Sequence, residues 1–442
     1  MSKSIGRRQF IKASATAAAL APAVRTAGGF NTHQVSPSDE VRLGILGVGR
    51  QGRYNMRKFM EHPECKVVAV CDVYGPHLKA AQELTSAKPY KDFRKILDRN
   101  DVDALVISTP DHWHPLMTVM GCQASKDIYV EKPISVAVSE GRKMVEAAQR
   151  SQRIVQVGTQ QRSGLHFQQA VKLVQDGELG EISSVRTWNF GNSTPQGIGN
   201  PPDSDPPSDL DWDMWLGPAP KVRFNPNRFG VFENNWSYFR WFWDYAGGMM
   251  TDWGVHLLDI VQWAMKTDAP ERISTSGDKF VLQDNRETPD TLTATYRYPG
   301  FICTYENRLT NGSPITGRSY GIEFYGSNGT LFLDRQGFEI TPESTQSGDR
   351  NIPRMYSMQA ENTNDNSRDH VRNFLDCIKT RNQPVSDIEI GHRSTTTCLL
   401  ANISYRTGRQ ILWDGTSERI LGDTETSKWL DRPYRRPWTL DI

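Results

Sequence analysis

The segment Gly47-Val48-Gly49-Arg50-Gln51-Gly52 places three glycines at the spacing GxGxxG, between the apolar run Val41 to Leu46 and a helix-period stretch leaving Arg53. Gly47 permits a tight turn, Gly49 lets a pyrophosphate approach the backbone, and Gly52 lets the helix pack on the strand. A helix N-terminus there offers amide donors and partial positive charge to phosphates. Twenty residues after Gly52 a second apolar run ends at Asp72. A carboxylate at that point accepts hydrogen bonds from both adenosine ribose hydroxyls and repels a 2′-phosphate, so the expected cofactor is NAD, with NADP disfavoured. Two further features invite chemistry. Asp252 and His256 are four apart and share one face of a helix. His112 and His114 alternate in a segment where both face one way, a metal-ligand spacing, but no third ligand is evident nearby and no metal is expected.

The elements that must position these residues follow from periodicity. From Val41 to Gly158, short Val- and Ile-rich runs alternate with amphipathic stretches, which gives βαβ units and a buried, doubly wound parallel sheet. The domain reading is 1–39 signal and linker, 40–158 nucleotide-binding domain, and 159–442 a substrate-binding and oligomerisation domain. The last is expected to be α+β: strand-like segments at 272–282, 291–308, 319–325 and 329–334, helical runs at 251–265, 368–381 and 391–408, and an open, mostly antiparallel sheet with helices on one face. The Pro-, Asp- and Gly-rich stretch 191–220 reads as an ordered surface excursion, because its tryptophans need packing.

With 442 residues, 23% charged and a net charge of +1, the chain reads as a soluble two-domain protein without a nucleic-acid or anionic-membrane partner. At the N-terminus, Arg7, Arg8, Phe10, Ile11 and Lys12 precede an uncharged run from Ala13 to Val24, the pattern of a twin-arginine export signal with small residues at 21, 23 and 27 for cleavage. The expected partner is the twin-arginine machinery and the expected location the periplasm, reached after folding. The six cysteines show no CxxC pair and read as small core residues, which suits folding in a reducing cytoplasm before export.

Pro110-Asp111-His112-Trp113-His114-Pro115, Glu131-Lys132-Pro133, Gly158-Thr159-Gln160-Gln161-Arg162-Ser163 and Gly247-Gly248…Asp252-Trp253-Gly254-Val255-His256…Asp259 follow the glycine loop in order. Together these resemble the glucose-fructose oxidoreductase, inositol dehydrogenase and MocA (Gfo/Idh/MocA) family over about residues 40 to 440. The resemblance implies a Rossmann domain, a C-terminal α/β domain whose open sheet mediates homo-oligomers, and NAD(P)-dependent oxidation or reduction of sugars and polyols. It puts Lys132 between nicotinamide and substrate, with Asp252 and His256 completing the polar centre. Ser108, Thr109, Pro110, His114 and Glu131 fall on the cofactor side, and Arg162 and Trp241 on the substrate side.

Alcohol oxidation gives those residues work: a base must take the hydroxyl proton as hydride leaves, and a cation must stabilise the developing alkoxide. His256 suits the first role and Lys132 the second, though which takes the proton stays open. The stretch NNWSYFRWFWDYAGG sets rings beside Asn235, Arg240 and Asp244, as the apolar face and hydroxyl rim of a carbohydrate or cyclic polyol require. His392 and Arg393, opening a helical run, are further candidates for the cleft. An exported NAD protein has no free cofactor pool outside the cytoplasm, so tightly held NAD is expected, reoxidised in place. The alternatives are a redox-neutral glycoside-cleaving or epimerising enzyme and, disfavoured by the intact polar centre, an inactive sugar-binding protein.

Overall fold

The computed structural model describes residues 40–232 and 237–441. The twin-arginine segment, Asn235 and Trp236 lie outside the described residues.

Six short strands, β1 Val41–Leu46, β2 Cys65–Cys71, β3 Lys88–Tyr90, β4 Ala104–Ile107, β5 Asp127–Val130 and β6 Val155–Val157, form an all-parallel sheet in the order β3-β2-β1-β4-β5-β6. The central strands β4 and β5 are buried along their whole length, which is why ALVI of β4 and Ile128 to Val130 of β5 are apolar runs rather than alternating ones. One face packs Leu43, Ile45, Val70 and Val106 against Met56 and Phe59 of the helix Arg50–Met60 and Ala81 of Gly75–Thr85. The other packs Leu105, Ile107, Ile128 and Val130 against Leu116 and Met117 of His114–Gln123 and Met144, Val145 and Ala148 of Val138–Ser151. Chain order reverses between β1 and β4, so the loops leaving these neighbouring strands diverge and open a crevice.

The second sheet has ten strands. Across it, in order, run Met358–Glu361, β13 Gly337–Pro342, β12 Gly329–Leu333, β11 Tyr320–Gly326, β7 Ile182–Phe190, β10 Phe301–Arg308, β9 Thr291–Tyr298, β8 Arg272–Asp278, Ile411–Asp414 and Arg419–Ile420. Only the β7–β10 pair is parallel; the other pairings are antiparallel. Along β9, Leu292, Ala294, Tyr296 and Tyr298 point inward while their neighbours face out. The inward set meets the helices Leu165–Gln175, Gly254–Ala264 and Ile388–Thr407, so helices cover one face. Each large apolar side chain buried there contributes about 1.5–3 kcal/mol.

The expected run 291–308 is a hairpin, turned at Gly300 with φ +87°. Neither β7 nor β13 stands out in sequence. The excursion at 191–220 is ordered: it carries the short helix Trp212–Leu216, capped by Asp211, with Trp212 and Trp215 stacked 4.8 Å apart in an aromatic cluster. Five of the six cysteines are buried, and Cys65 is half-buried; all are unpaired.

Candidate active site

A cleft of about 600 Å³ runs from the β1 loop to the helices at Gly248–Asp252 and Gly254–Ala264. Gly47, Gly49, Arg50, Gln51 and Asp72 line one end and Lys132, Asp252, His256 and Arg335 the other.

At the loop end the glycines are needed by the backbone. Gly47 has φ +79°, and a Cβ there would sit 2.7 Å from the Thr109 amide nitrogen; a Cβ on Gly52 would sit 1.9 Å from the Gly47 carbonyl oxygen. Gly52 and Val48 therefore act from behind the loop and do not line the cleft. The helix Arg50–Met60 starts at Gly49 without a side-chain cap, which leaves its first amides for an anion. Asp72 accepts the Val48 N–H through Oδ2 at 2.9 Å and the Tyr74 N–H through Oδ1 at 3.0 Å. Oδ2 also lies 3.4 Å from His77 Nδ1, while Oδ1 keeps a further lone pair that can accept from a ribose hydroxyl. The crowded glycine turn, the uncapped helix and this half-satisfied carboxylate fit an adenine dinucleotide.

Ser108, Thr109, Pro110 and His114 line the middle of the cleft at the end of β4. Asn55 Nδ2 reaches both Ser108 Oγ, at 3.0 Å, and Glu131 Oε1, at 2.9 Å. Gln51 and Gln160 also donate to Glu131 Oε1, at 3.1 and 3.2 Å, while burial pushes the Glu131 pKa up. The ring nitrogens of His114 lie 2.7 Å from the Pro133 carbonyl and 2.8 Å from that of Thr109. Burial lowers its pKa to about 4 against the pull of these two carbonyls, and the neutral ring donates its single N–H to one of them.

At the other end Lys132 Nζ donates to the Asp252 backbone oxygen at 2.8 Å and to its Oδ1 at 2.9 Å. Arg240 Nη2 donates to the same Oδ1 at 3.1 Å. Burial works against ionised Asp252, but Arg240 and Lys132 outweigh it and hold the carboxyl well below the usual range. His256, one helical turn on, is buried with Nδ1 unpartnered. Burial first, then the charges of Lys132 and Arg335, hold its pKa far below that of an ordinary histidine, so the ring is neutral near pH 7. Asp111, also in the cleft, is pushed up to about 8 by burial and by Asp252, against the pull of Lys132 and Arg240. The arrangement thus holds a fixed ammonium, a neutral imidazole and a carboxylic acid that keeps its proton at neutrality.

Arg162 and Trp241, assigned above to the substrate, do not line the cleft. Arg162 is buried, paired with Asp259 at 2.8 and 2.9 Å and laid over Trp263. Trp241 is buried under the Arg286 guanidinium. His392 is likewise buried, 2.8 Å from Glu418, and Arg393 binds Glu389 and the Gly415 carbonyl, so neither lines the cleft. His112 and His114 turn toward different carbonyls: His112 Nε2 meets Trp215 O at 3.1 Å inside the core. Among the described residues no three histidine, cysteine or acidic side chains gather as metal ligands. Arg240, read in sequence as part of the carbohydrate-facing stretch, does line the cleft, whereas sequence reasoning missed Asp111, Arg335, Gln160, Gln161 and Trp253, which line it too. Four of them stand beside motif residues, at 111, 160, 161 and 253, and adjacency was the available signal.

The chain matches the GFO_IDH_MocA model, "Oxidoreductase family, NAD-binding Rossmann fold", over residues 41–159. It matches the companion model, "Oxidoreductase family, C-terminal alpha/beta domain", over residues 163–299 and 345–440. It belongs to this oxidoreductase family, and its Rossmann domain is NAD-binding. The inositol 2-dehydrogenase of Salmonella typhimurium is 28% identical over 158 residues, 35% of this chain and 47% of that protein. An alpha-N-acetylgalactosaminidase of Shewanella oneidensis is 25% identical over 203 residues, 40% of this chain and 44% of that protein. The chain thus matches about half the length of these curated relatives. The WlbA dehydrogenase of Bordetella pertussis, solved with NADH and UDP-GlcNAcA, shares the fold: TM-score 0.64 and 20% identity, covering 85% of this chain and 99% of that one.

Proposed function

We propose that the chain is an NAD-dependent oxidoreductase acting on a secondary hydroxyl of a sugar or cyclic polyol. The observation that carries this reading is the Lys132–Asp252 pair beside a neutral His256, in one cleft with a glycine loop built for a dinucleotide. NAD, when bound, supplies the nicotinamide carbon that accepts or returns hydride. The chain supplies the rest. Asp252 and its own backbone carbonyl take two of the three ammonium donors of Lys132, which fixes Nζ and leaves a third donor for the substrate oxygen. That contact strengthens as alkoxide charge develops. The imidazole of His256, kept neutral, is the group free to take the hydroxyl proton. Trp253, Trp215 and Phe239 line the cleft and give the C–H side of a ring an apolar wall. Incubating the purified protein with sugars and polyols tests this: appearance of the near-ultraviolet band of reduced nicotinamide supports it, and no band with any of them contradicts it.

The twin-arginine pattern at residues 7–12 supports a further part of the reading, in which the protein folds in the cytoplasm, takes up NAD, and carries it to the periplasm. Retained NAD must then be reoxidised by a second substrate or by the product itself. The likeness to an alpha-N-acetylgalactosaminidase favours, as second reading, the latter case: transient oxidation acidifies a neighbouring C–H, elimination cleaves the glycoside, and hydride returns. Bond cleavage without net redox change would select it. The helix-free face of the ten-stranded sheet is the proposed self-association surface. Light scattering that gives a monomer mass would remove that part.

A further inference from the structure

Arg335 sits in the turn between β12 and β13 and projects into the substrate end of the cleft. It is solvent-exposed, yet held. Its guanidinium lies over the Trp253 ring, 4.9 Å from the centroid, and Nη2 reaches Gln161 Oε1 at 3.5 Å. Among the described residues it has no carboxylate partner. Its neighbour Asp334 turns to Arg318 at 3.4 Å and to the Gln336 and Gly337 amides instead. Asp252 Oδ1 is committed to Lys132 and Arg240. Stacking on Trp253, which follows Asp252 and precedes His256 by one helical turn, fixes the plane of the fork and aims its donors toward the place where a bound sugar would lie. A guanidinium so oriented matches an oxyanion through two parallel N–H donors, which a neutral hydroxyl cannot reproduce.

We propose that Arg335 is the docking point for an oxyanion on the substrate, which makes the preferred substrate an acidic sugar, a uronate or a sugar phosphate, rather than a neutral one. The proposal rests on the sugar reading above but concerns binding, so it can be measured apart from turnover. The depressed pKa of His256 agrees with it, since the Arg335 charge already reaches that ring.

The test uses full-length protein with its bound cofactor and matched probes: glucuronate, glucose 6-phosphate and glucose, and the corresponding galactose set. Isothermal titration is expected to show at least one acid in a set binding about tenfold or more tighter than the neutral parent. Arg335→Gln should bring that ratio to about one, while Arg335→Lys, which keeps the charge but not the fork, should retain part of it. Which acid wins distinguishes a planar carboxylate from a phosphate. Equal binding of acid and neutral parent in the wild type, or an acid preference that survives in Arg335→Gln, would overturn the proposal. A preference for acids without reduction of NAD by any of them would leave this site standing and remove the oxidoreductase reading instead.

Discussion

Lys132 cannot act alone. Two of its donors are spent on Asp252, so the ammonium is positioned rather than merely present. Lys132→Met should lower kcat by about 10²–10⁴-fold, the range removed with a positioned proton-handling group, and His256→Asn should do the same in steady-state assays. Because burial and two neighbouring cations hold the His256 pKa down, its proton-accepting form persists below the usual histidine range. The acid limb of kcat/KM is therefore expected below pH 6.5, and a limb at or above that value would exclude His256 as the base. Asp111 titrates the other way. Its folded pKa of about 8 stands above the ordinary 3.8, so its contribution to stability is full below 3.8 and is lost as pH rises through 8. Asp111→Asn removes that loss, so its Tm relative to wild type should climb between pH 4 and 8 in thermal melts. Residues in motifs were legible here and their neighbours' directions were not. Nothing in sequence says that Trp253 faces the cleft while Trp241 faces Arg286. Nor does it say that Arg162 finds its partner at Asp259, 97 residues away.

The glycine loop and the helix Arg50–Met60 form one device, since the helix can start against β1 only if Gly52 lacks a side chain. Gly52→Ala drives a Cβ to 1.9 Å from the Gly47 carbonyl and must spread the loop. It is expected to cost about 1–3 kcal/mol of stability and to release cofactor, read by calorimetry and by nucleotide content after gel filtration. The parallel sheet was legible because its inner strands are buried on both faces and alternate with amphipathic helices, two local signals, whereas the exposed edge strand β3, Lys-Pro-Tyr, carries neither. β7 was not: ISSVRTWNF is half polar, and it belongs in the middle of its sheet only because β10 and β11, more than a hundred residues on, flank it. Arg335 was hidden for a related reason. It sits on a turn with no motif, and the fold, not the spacing, brings it to Trp253.

At the scale of the whole molecule, the C-terminal tail and the nucleotide-binding sheet form one wall. Trp438 packs against Phe93 and Trp113, both of which line the cleft, and Arg432 is paired with Glu140 and bonded to the His112 carbonyl. A cleft buttressed from outside by its own chain end suits a cofactor that stays. Deleting residues from 432 onward should therefore increase NAD loss during dialysis, with the intact chain retaining it.

In the proposed mechanism retained NAD faces Lys132 and His256. Its most direct measurement is single-turnover spectroscopy on protein purified without added nucleotide and mixed with the sugar panel. A reduced-nicotinamide band stoichiometric with protein is expected, at least about a hundredfold slower to form in Lys132→Met and in His256→Asn. Protein that carries no nucleotide, or variants that form the band at the wild-type rate, would contradict this mechanism.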